Sequence, residues 1–166
     1  MAPAGGALGA IENSGLGQAM RQWLWLYPTV EIFHIVGIAL LFGSIAVFDL
    51  RLLGLSRSIP IRRLAGHVLP LTAASFLLIV PSGLLMFIAH ASEFIESGVF
   101  VLKMGLIMAA GLNAALFHAI TFRTADVWDS EEMRKLPPPP SARLAGGLSL
   151  LLWISVIACG RLLAYF

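Results

Sequence analysis

Four histidines are the residues of this chain best suited to hold a metal or a redox group, and His34, His67, His90 and His118 all stand in apolar surroundings. Neutral imidazoles from two helices can fill both axial positions of a haem iron, the ligation that a b-type haem takes. A second grouping overlaps the first. Glu31 and His34 form E-x-x-H, and His90 and Glu93 form H-x-x-E. Residues three apart share one side of a helix, so two such turns could present two imidazoles and two carboxylates to one copper, zinc or iron ion. The E-x-x-H spacing recurs in di-iron bundles, which also want glutamates on two further helices. Segments 98–122 and 142–165 contain none. As a simpler role, Glu31 orients His34 or pairs with Lys103 or Arg161, the cations available for haem propionates on that side.

The elements that must position these groups follow from composition. The chain has 166 residues, 58% hydrophobic and 12% charged, with a mean hydropathy of +0.88. A soluble domain carries about 25% charged residues, so this one has too little polar surface to cover a globule. It is expected to be an integral membrane protein. Cys159 is the single cysteine and the net charge is +2, which excludes a disulfide scaffold and a nucleic-acid binder; the hydropathy excludes a disordered chain.

Four segments reach the roughly 20 apolar residues that a membrane span requires, at about 28–53, 60–89, 98–122 and 142–165. The expected fold is all-α: a four-helix transmembrane up-down bundle (28–166) preceded by an N-terminal segment (1–27). Within that segment, 14–27 reads as a short interfacial helix with Trp23, Trp25 and Tyr27 at headgroup level. The first fifteen residues lack the basic start and apolar core of a cleaved signal, so the first span is expected to be retained. Eight of the eleven basic residues fall at or between spans one and two or spans three and four. The positive-inside rule then places both termini outside. Ser58 and Ser141 are expected caps for spans two and four, and 123–136 is expected to be a solvated loop.

Depth decides which histidines could meet. His67 lies about 10 Å in from Pro60 and His118 about 8 Å in from Arg123, so the two are level near the inner face. His34 lies about 9 Å in from Pro28, and His90 at the outer end of span two is its expected partner. His67 and His90 are 23 residues apart, about 140° around the axis, so a central span two could offer one ligand to span one and one to span three. Gly83 and Gly111 each stand seven residues before a histidine, and Gly37, Ala114 and Ala115 add space for a flat macrocycle. Arg62, Arg63 and Arg143 are the inner cations. Small residues also simply let membrane helices approach one another. His67 could pair with Asp49 or a backbone carbonyl, and Asp49 with Arg51; Met104 and Met108 read as core filling, and Asn113 as a cross-helix hydrogen bond. No serine stands in a recognisable hydrolase arrangement.

The segments Y-P-T-V-E-I-F-H (27–34), D-L-R-L-L-G (49–54), G-L-N-A-A-L-F-H (111–118) and A-C-G-R-L-L-A-Y-F (158–166) resemble a family of small four-span bacterial inner-membrane proteins of unknown function. That resemblance implies a bacterial cytoplasmic membrane and no activity. In architecture alone the chain resembles four-helix di-haem b-type cytochromes, with which it shares no motif. The expectation is a membrane cytochrome binding one or two haem b groups, His67 and His118 on the inner one and His34 and His90 on the outer, exchanging electrons with a quinone. The alternatives are a metal-binding or transport protein built on Glu31, His34, His90 and Glu93, and a non-catalytic structural subunit. Expected partners are the lipid bilayer, a quinone, and a further copy or another membrane subunit, with no nucleic acid.

Overall fold

A computed structural model describes residues 6–163 and 165; the first five residues of the N-terminal segment, and Ala164 and Phe166 of the last motif, lie outside it. Four helices are long and apolar enough to cross a membrane: α3 (Leu26–Leu52), α4 (Ile61–Ala89), the third span from Gly98 to Trp128, and α8 (Pro140–Leu162). The third span begins as α6 (Gly98–Leu116), passes through a π-helical turn at Phe117–Thr121 and a 3-10 turn at Phe122–Thr124, and ends in α7 (Ala125–Trp128). Shorter helices are α1 (Ala7–Glu12), α2 (Gly15–Gln22) and α5 (Ala91–Glu96). No strand occurs among the described residues. The outward faces are apolar: Leu77 is 76%, Met108 72% and Leu151 62% exposed, as befits a surface whose solvent is lipid.

The order of neighbours differs from the expectation that span two is central. α3 packs against α4 and α8, and α8 against α6, while α4 and α6 share no comparable interface. Glycines mark the close approaches. A Cβ on Gly37 of α3 would come within 2.7 Å of Ile79 Cγ1 on α4, and one on Gly146 of α8 within 3.0 Å of the Asp49 carbonyl oxygen on α3. Small residues let backbones approach in lipid, where no hydrophobic force drives helices together. Gly37 therefore packs a helix contact and does not widen a space beside His34.

Side chains from distant segments satisfy the helix ends. Ser14 caps α2 by accepting the Gly17 N–H at 3.2 Å. Arg21 donates to the Ala89 carbonyl closing α4 at 2.8 Å, and Glu12 accepts the Ser92 N–H opening α5 at 2.6 Å. Thus α1 and α2 fold over that end of α4. The helix expected over 14–27 stops at Gln22, and Trp23 and Trp25 are 67% and 76% exposed. At the other end of α4 the first N–H, that of Ile61, is met by Asp129 at 2.6 Å. Ser58 and Ser141 cap nothing: α4 follows Pro60 and α8 follows Pro139, and neither proline's side chain bonds its helix start. Orphan N–H groups need an acceptor in any case, and a carboxylate at a helix N-terminus also favours the macrodipole. The 123–136 connection is therefore not wholly solvated, since the Asp129 side chain is only 6% exposed.

Candidate functional site

Three of the four imidazoles are anchored in the same way. His67 Nδ1 lies 2.8 Å from the Arg63 carbonyl and His118 Nδ1 2.9 Å from the Ala114 carbonyl. A carbonyl only accepts, so Nδ1 carries the proton in both and Nε2 is left with the lone pair of the neutral ring. His34 Nδ1 lies 2.9 Å from Ser82 Oγ, whose own proton goes to the Leu78 carbonyl. That hydroxyl can then only accept from the imidazole, which gives the same tautomer. A Cβ on Gly83 would stand 3.1 Å from His34 Cε1; the glycine makes room for the ring itself rather than for a macrocycle. His90 differs. It ends α4, its Nδ1 lies 3.3 Å from a Glu93 carboxylate oxygen, and Tyr27 meets its ring edge-on at 5.8 Å.

The expected pairs do not face one another. Ser82 marks the level of His34 on α4, and His90 is eight residues further along, about 12 Å along the axis. On α4, Arg62 lies over the Phe122 ring at 5.2 Å, and Phe87 stacks with Phe100 of α6 at 5.9 Å. Those two contacts define the side turned toward the third span. His67 is five residues from Arg62, about 140° around the helix, and it is exposed on the other side. Among the described residues, no three histidine, cysteine, aspartate or glutamate side chains gather as a metal site. His90 and Glu93 are in contact at 3.3 Å, but neither Glu31 nor His34 joins them in a group of three.

His118 does face inward. It sits in the π-helical turn, a feature frequent at functional sites. Phe48 of α3 stacks on it with planes 9° apart, and Phe117 meets it at 87°. Phe100 and His118 are 18 residues apart, about five turns at α-helical pitch, which sets both near the side of the third span that looks toward α4, with Phe48 holding His118 against α3. Gly111 lies within about 20° of that line, and a Cβ there would meet nothing within 4 Å. The two helices are tied at one end by the stacked rings of Phe87, Phe94 and Phe100. At the other end Arg62 contacts Phe122 and Asp126. Met104 and Met108 are 44% and 72% exposed, so they do not fill the core; Met104 stands within about 40° of the His118 line. Comparison with family models, curated proteins and solved structures finds no match to this chain.

A second polar group lies toward the α5 end. Lys103 of α6 reaches α8, where a Cβ on Gly160 would be 3.7 Å from Nζ. Among the described residues no carboxylate pairs with it. Arg161 donates to the Tyr165 hydroxyl at 2.6 Å and covers that ring. Lys103 is 15 residues from His118, about 22 Å along α6, so the two act at different levels; Arg62 is the cation at the level of His118. Asn113 donates across to the Ala145 carbonyl at 3.0 Å.

Sequence reasoning missed Asp129 and misplaced Asp49. Arg51 pairs with Asp129 and donates to the Ile59 carbonyl at 2.8 Å, and Asp49 is left 4% exposed with Oδ2 unpartnered. The spacing held the signal: residues two apart on a helix do not face each other. Nothing in the mixed-charge 123–136 stretch singled out Asp129.

Proposed function

We propose that the chain is a membrane electron carrier of the b-type cytochrome class, with His118 Nε2 as an axial ligand to a haem lying on the side of the bundle where α4 and α6 stand apart. The observation that carries the reading is the state of that imidazole. It is oriented by the Ala114 carbonyl, pinned by Phe48 and Phe117, and left with an Nε2 that no described hydrogen bond engages, two turns along from the open face of Gly111. A hydrogen bond at Nδ1 fixes the tautomer of a ligating histidine and raises its basicity. Arg62 suits a propionate at the same level.

Bound haem supplies one-electron chemistry; the chain supplies the ligand, the apolar surroundings and the cation. A His67–His118 pair is set aside because His67 points the other way, and a His34–His90 pair because of their offset. His34, whose Nδ1 is anchored as that of His118 is, is the candidate ligand of a second haem. The basic residues favour both termini outside and the family resemblance a bacterial inner membrane, while a quinone as electron partner rests on the architectural likeness to di-haem b-type cytochromes alone.

Iron and extractable haem per chain, measured on detergent-purified protein from haem-replete cells, test the proposal. The expected result is haem in stoichiometric amount in the wild type and its loss in His118→Ala with helical content unchanged. Iron-free protein overturns the proposal. Stoichiometric copper or zinc without iron would support the metal-binding alternative on Glu31, His34, His90 and Glu93, and no metal at all the structural subunit.

A further inference from the structure

Asp49 is the one buried side chain among the described residues whose polar atom lacks a partner. It lies on α3 where α8 packs closest: Gly146 approaches its backbone, and the Ser149 hydroxyl stands beside its carboxyl. No charged group faces it from any packed element. On α3 the nearby Arg51 turns to Asp129. From α8 the facing groups are Gly146 and Ser149, while Arg143 is exposed at the start of that helix. From the third span, the Asn113 amide is already engaged with Ala145, and the His118 imidazole stacks on Phe48, the residue before Asp49, with its Nδ1 on the Ala114 carbonyl. On α4, Arg62 pairs with Asp126, Arg63 is exposed and His67 faces away. An ionised carboxylate in a dry interior needs a counter-ion or several donors, and this one has a single hydroxyl.

We propose that Asp49 is a proton-binding site of the bundle, whose unpartnered oxygen takes up a proton from the aqueous face nearest Arg51 and Asp129. The α3–α8 packing seen here belongs to the protonated form. One O–H bond forms on the carboxylate and no other bond changes. Loss of the proton would leave a bare charge against Gly146 and Ser149, so proton release is coupled to loosening of that interface or to entry of a cation. Intramembrane carboxylates of this kind mark proton and ion pathways. The proposal needs no haem, since no atom of His118 or Arg62 takes part in it.

Infrared spectroscopy of the full chain in lipid bilayers, with aspartate labelled at the side-chain carboxyl carbon, tests this at neutral pH. The expected result is an isotope-sensitive band of an un-ionised carboxylic acid that shifts in deuterium oxide. It should vanish in Asp49→Asn, whose amide has the shape of the protonated acid and should leave the melting temperature unchanged. A second measurement needs no variant. Dicyclohexylcarbodiimide adds as a whole molecule to carboxylic acids in apolar surroundings, and its mass is expected on the peptide containing Asp49. Aspartate signals that are all those of ionised carboxylates, or an adduct confined to other peptides, would overturn the proposal.

Discussion

Arg51 on α3 pairs with Asp129, 78 positions further along the chain, and not with Asp49 two positions before it. The two side chains are 2% and 6% exposed, and the second Asp129 oxygen accepts the first N–H of α4. One carboxylate thus joins the end of α3, the start of α4 and the connection to α8. Removing one partner of a buried pair strands the other charge, so Asp129→Ala is expected to cost about 3–5 kcal/mol in denaturant unfolding in detergent. Asp126→Ala is the control. Its pair with Arg62 is 46% and 72% exposed, and the cost should stay below about 1 kcal/mol.

The fold of α1 over α5 should depend on pH. The Ser92 backbone N–H holds the Glu12 carboxyl below its ordinary value of 4.5. A depressed folded value means that the contact contributes fully above the ordinary glutamate range and fades as pH falls through the lowered value. Hydrogen exchange at the Ser92 amide, compared with Glu12→Gln at each pH, should show extra protection at pH 7 that disappears in acid. The Gln variant should lack that pH dependence.

Glycine substitutions should separate packed from open faces. Gly37→Ala would bring a methyl within 2.7 Å of Ile79, and overpacking of this kind costs about 1–3 kcal/mol. Gly105→Ala meets nothing within 4 Å, and Ala is the better helix former by about 1 kcal/mol, so no loss is expected. Thermal unfolding of both variants checks the contrast.

The spans were legible because an apolar run is a one-dimensional signal: the expected 28–53 and 60–89 match Leu26–Leu52 and Ile61–Ala89. Which spans touch was not, because it depends on where Gly37 and Gly146 let backbones approach. Asp129 was hidden for a related reason, since a cap supplied from across the fold leaves no mark beside Ile61. The histidines were legible as candidates by type and depth. Rotation about the axis decided the rest, and the prolines of α4, Pro70 and Pro81, blur any rotation counted along that helix. Level alone thus matched His67 to His118, while their sides of the helices keep them apart.

The central claim is tested most directly by the reduced-minus-oxidised visible spectrum of the purified protein, recorded for the wild type, His118→Ala and His67→Ala. The proposal predicts b-type haem bands in the wild type, retained in His67→Ala and lost or strongly diminished in His118→Ala. A colourless wild type, or bands indifferent to His118→Ala, would contradict it.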